Sequence, residues 1–484
     1  TKTVKFDKDT AKTSTEIARK NQNAEIKINS ETEKKVVNEF KDQIKINKEN
    51  SVNIETMSQE QKDNINKIMK EKNDKQIEKI LPSLNSSLLL PRNSSEVAKI
   101  NEVDLNKDGE KELVVFEKKE DVNENKTEVG FMVLKKDKNG EYQEEGNVLE
   151  GGETIEYANF YDLDKDNHLE IILLIKKQDK TNMYIYKFED NELSKVDTLN
   201  PYWIKDKDNI TDMKIKIEYI DNDDILDILV LNYNPKTNKV YSSLLNFDGK
   251  IKLLDYIEHE NVKNLNNLYI TYGQVDTNKN GIVLDIPNLK DNNYRTQILY
   301  TKDKKLEKVF KDDDKNLMKP YYIAVEDINK DKVLEIPIVA GSSSIYTLQS
   351  SSTVSWYRWN GKYNEDARLV FNSRIYYNYK YNFKLDIPNN LVNKIYSEQE
   401  YQGENTLFKF YYHDSVENEP KNIFTIIVSP KPVADEGKNI TNKSSMILAE
   451  NYDNTFILQK NNEELLKALN ITTEALMEYF SLIY

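Results

Sequence analysis

The chain has no cysteine among its 484 residues, which excludes disulfide scaffolds, thiolate metal sites and cysteine nucleophiles. Histidine is almost as scarce. His168, His259 and His413 are the three imidazoles, too few for a multi-histidine zinc site and scant material for a Ser-His-Asp relay. No run of about 20 uncharged apolar residues occurs, so no segment reads as a membrane-spanning helix. An apolar secretory stretch is missing at the start, where Thr1 opens a polar segment, and any targeting signal is expected to have been removed or never to have existed. Also missing are a Gly-x-Ser-x-Gly elbow, a phosphate-cradling loop ending in Gly-Lys-Ser/Thr, and a His-Glu-x-x-His pair. Positive charge is in deficit: 69 Lys and Arg face 83 Asp and Glu, a net charge of -14. That balance disfavours nucleic acid, whose phosphates need a basic face, and suits hard cations.

The acid is not spread evenly. Residues 1 to 56 hold 12 basic and 10 acidic side chains, so the remainder holds 57 against 73, an excess of -16. The first stretch lacks a sustained apolar period and cannot bury enough surface to offset chain entropy. Residues 1–57 therefore read as a flexible tether. Residues 58–94 read as a helix and lead-in, with Ser58 as N-cap, apolar residues from Ile65 to Leu81 at helical spacing, and Pro82 as a stop.

From residue 95 to 372 an acidic loop recurs five times. The loops open at Asp104, Asp162, Asp221, Asp276 and Asp327, and each is followed by a short branched apolar run such as Leu113–Phe116 or Ile171–Ile175. Such runs have the length of buried strands. Some 26 to 35 residues after each opening aspartate comes a hairpin signal: Asn139-Gly140, Asp190-Asn191, Asp248-Gly249, Lys302-Asp303 and Asn360-Gly361. One repeat is thus strand, loop, strand, connection, strand, turn, strand. Four antiparallel strands at this period describe a propeller blade, which buries its faces on its neighbours. The expected fold is mainly β: a five-bladed β-propeller, six- or seven-bladed if degenerate repeats flank it, followed by an α+β domain over residues 373–484.

The loop chemistry is that of a calcium cage. Asp or Asn at positions 1, 3 and 5, a carbonyl at position 7 and an acid at position 9 supply the oxygens that Ca²⁺ accepts, with a turn residue at position 6. An EF-hand would need flanking helices and a glutamate at position 12, where this chain has Val115, Leu173 and Ile338. The first loop offers Asp104, Asn106, Asp108, the carbonyl of Glu110, and Glu112, with Gly109 at the turn. The second offers Asp162, Asp164, Asp166, the carbonyl of His168, and Glu170, with Asn167 at the turn. The fifth has Asp327, Asn329, Asp331, the carbonyl of Val333, and Glu335, but Lys332 at the turn. The fourth has Asp276, Asn278, Asn280, the carbonyl of Ile282, and Asp285 one place beyond position 9. The third, counted from Asp221 to Asp227, is two residues short and is expected to be empty.

These loops resemble those of the FG-GAP/VCBS repeat family found in integrin-alpha-like propellers and bacterial surface proteins. The resemblance covers about residues 95 to 372 and is best at Asp104, Asn106, Asp108, Gly109 and Glu112. It implies calcium bound between two blade strands. The opening of the last domain, Phe383-x-Leu385-x-Ile387-Pro388, weakly resembles PsbP/Mog1-like domains of Gram-positive lipoproteins, with Leu391 where those often carry Trp. Together these imply a Clostridium-like surface chain, extracellular or lipid-anchored to the outer face of the membrane by an anchor outside this sequence. The function expected is a non-enzymatic scaffold that recognises a protein partner at the cell envelope. The alternative is a glycan-binding lectin or a polysaccharide-active enzyme using the propeller face. Two further features bear on binding: the long Gly341–Thr353 insertion, and Trp356-Tyr357-Arg358-Trp359, where alternation puts Trp356 in the core and exposes Tyr357.

Overall fold

The computed structural model describes residues 86–339, 353–415, 418–431 and 445–483, together with Ile77 and Ile80, which are helical. The expected tether, the rest of the expected helix and most of the Gly341–Thr353 insertion lie outside the described residues. The chain divides into two units, Thr1–Ile80 and Leu81–Tyr484. Among the described residues of the second unit, strands dominate, arranged in six antiparallel sheets.

The first sheet contains β1 (Ser86–Leu88), β2 (Ile100–Val103), β3 (Glu112–Asp121), β4 (Lys126–Lys136) and β5 (Tyr142–Gly151), with β1 and β2 sharing the edge of β3. The second is the meander β6 (Thr154–Tyr161), β7 (Glu170–Lys177), β8 (Lys180–Glu189) and β9 (Glu192–Thr198). The third is β10 (Met213–Glu218), β11 (Asp227–Asn234), β12 (Lys239–Phe247) and β13 (Ile251–His259). The fourth runs β14 (Tyr269–Asp276), β15 (Lys279–Pro287), β16 (Tyr294–Lys302) and β17 (Lys305–Lys308), with β18 (Met318–Lys319) also on β16. The fifth begins with β19 (Ile336–Val339), β20 (Thr353–Trp359), β21 (Leu369–Asn378) and β22 (Phe383–Ile387).

Side-chain alternation explains why the central strands are apolar throughout. On β7, Ile171, Leu173 and Ile175 pack against the first sheet, while Ile172 and Leu174 pack against the third. On β11, Ile228 and Val230 face the second sheet, and Leu229 and Leu231 face the fourth. On β15, Ile282, Leu284 and Ile286 meet the third sheet, and Val283 meets the fifth. A strand buried on both faces has no polar phase, hence the continuous runs. Each fully buried branched side chain of this kind contributes about 1.5–3 kcal/mol. The hairpin signals fall where expected: Gly140, Gly249 and Gly361 have φ of 78°, 67° and 70°, and Asp190 and Asn191 are both left-handed. In the fourth sheet the left-handed pair is Asp303 and Lys304, one residue later than the sequence suggested.

The last part of the chain is not a separate sheet system. Strand β21 runs without interruption across Asn372 and Ser373, where the sequence suggested a boundary. The sixth sheet has the order β23 (Ile395–Gln402), β24 (Asn405–Tyr412), β25 (Lys421–Pro430), β27 (Asn454–Lys460), β26 (Ser445–Glu450). Its core is shared with the fifth sheet: Tyr376, Phe383 and Leu385 pack with Phe408, Phe424, Phe456 and Phe480. The C-terminal helical pattern is cut in two. Helix α1 (Glu463–Ala468) is capped by Asn462 and α2 (Thr473–Tyr479) by Thr472, with Asn470 left-handed between them. Phe480–Leu482 then forms β28, which pairs with β22 and brings Phe480 into the aromatic core.

Candidate cation loops

Four of the five acidic segments share one frame. Glu112, Glu170 and Asp227 open β3, β7 and β11, and Glu335 immediately precedes β19; all four are buried. In each, one carboxylate oxygen accepts from the backbone N–H seven residues upstream, at 3.0 Å from Leu105, 2.8 Å from Leu163, 3.0 Å from Ile220 and 3.0 Å from Ile328. Leu105, Leu163 and Ile220 are themselves fully buried, so an apolar plug at position 2 and a buried acid at position 9 pin the loop between them. The position-5 carboxylate then accepts from the N–H of position 7, at 2.8 Å from Glu110, 2.8 Å from His168, 2.8 Å from Ile225 and 2.9 Å from Val333.

Left-handed backbone occurs twice in the first, second and fifth loops and once in the third. Position 6 is left-handed at Gly109, Asn167 and Lys332, with φ of 91°, 69° and 78°. Position 4 is left-handed as well, at Lys107, Lys165, Asn222 and Lys330, a requirement that the sequence pattern alone did not expose.

The shared frame corrects the third loop. It is not short: Ile220 stands at position 2, so Asp221, Asp223 and Asp227 are positions 3, 5 and 9 and Tyr219 occupies position 1. The miscount came from aligning on the first aspartate. The fourth segment does not form the expected cage. Asp276 and Lys279 pair across a two-residue turn containing Asn278, and β15 begins there rather than at position 9. Asp285 pairs in register with Tyr269, seven residues back along β14 from Asp276, so the two carboxylates sit at opposite ends of the hairpin. Ile282 is in the core, and the N–H of Asn280 donates to Asn222 of the third loop. Asp285 instead pairs with the buried Lys319 at 2.7 Å and accepts from Thr296.

Buried oxygens that accept no hydrogen bond distinguish the first two loops. Asp104 Oδ1, Glu112 Oε1, Asp162 Oδ1 and Glu170 Oε1 are buried and, among the described residues, make no hydrogen bond. A buried, unpaired carboxylate oxygen is costly. Burial accordingly pushes Glu170 up to about 7 and Glu112 above its usual range. In the second loop, oxygens of Asp162, Asp164 and Asp166 lie within 4.8 Å of one another. These donors fit a hard, oxygen-seeking cation. The fifth loop differs: Asp327 accepts from the N–H groups of Asp331 and Lys332, and Glu335 Oε1 is met by Asn372 and Arg358.

A cation from the adjacent strand faces each of these three loops, and sequence reading missed all three. Lys135 reaches Asp108 at 2.8 Å and Glu112 at 3.5 Å. Lys187 bonds Asp166 and stands 3.7 Å from Glu170, and Arg358 reaches Asp331 at 2.6 Å. Lys187 is registered directly opposite Glu170, and the pairs Leu113–Leu134 and Ile336–Tyr357 put Lys135 and Arg358 across from Glu112 and Glu335. Only the hairpin register reveals this, although counting back from the turn residues would have found it. The hydrogen bond from Lys135 holds Asp108 down at about 2.

No family model matches the chain, and no curated protein matches it. Among solved structures, the chain is similar to the rhamnogalacturonan lyase YesW, with 17% identity over 40% of this chain and 40% of that one and a TM-score of 0.26. It thus spans well under half of that protein. It is also similar to a protein from Lactobacillus plantarum, at 9% identity over 61% of this chain and 91% of that one, TM-score 0.24. The exotype rhamnogalacturonan lyase YesX matches at 11% identity over 76% of this chain and 72% of that one, TM-score 0.27. Likeness at this level carries no argument about activity.

Proposed function

We propose that the chain is a calcium-braced, non-enzymatic binding scaffold. The observation that carries this reading is the set of buried oxygens that make no hydrogen bond among the described residues of the first and second loops, on Asp104 and Glu112 and on Asp162 and Glu170, the two glutamate oxygens being met only by a lysine at 3.5 and 3.7 Å. With Asn106 and Asp108, and with Asp164 and Asp166, they would hold the ion, which would supply the charge that these carboxylates lack. Its role is structural: each loop joins two paired strands of one sheet, β2 to β3 and β6 to β7, so a bound ion locks that junction. The third loop lacks the position-1 carboxylate and the fifth has its acceptors occupied, so the first two loops are the binding sites.

The propeller reading belongs with this proposal. Successive antiparallel meanders pack face to face in chain order, first on second, second on third, third on fourth and fourth on fifth, as neighbouring blades would. The FG-GAP/VCBS resemblance supports a surface location, with the lipid anchor and a protein partner at the cell envelope as its corollaries. The Ser242–His259 pair, 2.9 Å apart, is wholly buried and belongs to the core of the third sheet.

Calcium tests the reading directly. Ions that bind only the folded state stabilise it by mass action, so about 1 mM Ca²⁺ should raise the melting temperature of chelated protein, and Mg²⁺ should raise it much less. Superimposable melting curves in EDTA and calcium would remove the proposal.

A further inference from the structure

A pocket lies away from the acidic-loop oxygens. It has a volume of about 380 Å³ and is lined by four tyrosines, Tyr321, Tyr322, Tyr377 and Tyr379, together with Glu326. That volume is near the lower end, roughly 300 Å³, of small-ligand sites. The segment entering the fifth loop supplies Tyr321, Tyr322 and Glu326, and β21 with its following turn supplies Tyr377 and Tyr379.

The rings are held in place from behind. Tyr322 stacks on Tyr269 with centroids 3.6 Å apart and planes 12° from parallel, and Tyr377 lies parallel to Tyr379 at 5.7 Å. Tyr321 and Tyr379 are 41% and 67% exposed, so the pocket is open to solvent. Its electrostatics have one sign. None of the lining residues is basic, and among the described residues no lysine or arginine pairs with the exposed Glu326 carboxylate. Lys319, which donates to the carbonyl of the lining residue Ile323, is fully buried and neutralised by Asp285. Burial raises the Tyr322 hydroxyl to about 12, and burial also raises Tyr379, so these rings stay neutral at physiological pH. Glu326 is the one carboxylate among the described residues that line the pocket.

Several neutral aromatic rings around a single carboxylate form an environment that attracts an alkylated cation. The negative faces of the rings attract the charge while their carbon surface covers the alkyl groups. A sugar platform would need a fan of amide or guanidinium donors, and the lining has none. We infer that this pocket binds an organic ammonium group, either a methylated ammonium of the choline type or the ε-ammonium of a lysine side chain. The inference goes beyond the calcium-braced scaffold and does not depend on it, since Glu326 is none of the loop ligands.

The test uses ligand-observed NMR on the whole chain at fixed ionic strength, with choline, its neutral isostere 3,3-dimethyl-1-butanol, glucose, and Nα-acetyl-lysine N-methylamide as probes. Choline or the lysine derivative should bind at least about fivefold more tightly than the isostere, and glucose should not bind. Whichever of the two cations binds more tightly identifies the source. Glu326→Gln should abolish the preference for charge. Tyr379→Ala should weaken the preferred cation by about three- to tenfold. Both side chains are exposed, and unchanged melting curves would show that the variants fold. Equal binding of choline and the isostere, preferential binding of glucose, or unaltered affinity in both folded variants would overturn the inference. Running each titration in EDTA and in calcium separates the two proposals: cation binding in EDTA stands even if calcium leaves stability unchanged, and its failure leaves the calcium result intact.

Discussion

At the residue scale, the cation opposite each acidic loop sets the competition that an incoming metal must win. Lys187 touches Asp166 and approaches Asp164 and Glu170, so it partly occupies the charge that an ion would neutralise. Removing it should act in opposite directions on the two states. Lys187→Met should lower the melting temperature of metal-free protein and tighten calcium binding by about fivefold, on the order of 1 kcal/mol, as read by calorimetric titration. A second residue-scale prediction concerns His259, which is buried and held down at about 3 by burial, then by Lys308. A base with a depressed pKa is neutral when folded but protonates on unfolding, so its contribution is complete above about pH 6.5 and is lost as pH falls toward 3. Urea midpoints measured between pH 7 and pH 4 should fall less steeply in His259→Gln than in the parent, by up to about 1.4 kcal/mol per pH unit.

At the element scale, the loops show how one frame tolerates different residues. Gly109, Asn167 and Lys332 occupy the same left-handed corner, and lysine is the one of the three with neither glycine's freedom nor a short side chain that can bond locally. Lys332→Gly should therefore stabilise the protein by about 1 kcal/mol, and Gly109→Lys should destabilise it by a similar amount, measured by denaturant unfolding. The aromatic run on β20 makes a related point. Alternation predicted Trp356 in the core, and it is buried with Val354 and Ile375 on one face of β20; Trp359 is buried too, because the opposite face packs on the fourth sheet beside Tyr300 and Val309, while Tyr357 is half-buried against Phe371.

At the scale of the whole molecule, the arrangement of the sheets is open to a direct distance measurement, since a chain without cysteine accepts spin labels wherever cysteine is introduced. Lys138, Glu192 and Lys362 lie at or beside the hairpin tips of the first, second and fifth sheets and are exposed. In a five-membered ring the first sheet neighbours both others, so the Lys138→Cys/Lys362→Cys distance should be close to the Lys138→Cys/Glu192→Cys distance. An open stack would make the former by far the larger, and that result in pulsed electron resonance would end the propeller reading.

Much of this was fixed along the chain. Strand runs such as Ile171–Ile175, the hairpin turns at Gly140, Gly249 and Gly361, and the acid at position 9 of the first, second and fifth loops are local features, set by side-chain period and by which residues accept positive φ. They are legible because each depends on neighbours within a few positions. Tertiary structure decided the rest. The third loop found its frame only through burial of Ile220 and Asp227, and the fourth became a plain hairpin because Asp285 was claimed by Lys319, 34 residues away. Lys135, Lys187 and Arg358 became partners of the loops through strand register, and Phe480 left its helix to complete a sheet. Register across a hairpin can be counted back from its turn, but pairing between distant strands and competition for a buried charge depend on distances through space, which no spacing along the sequence encodes.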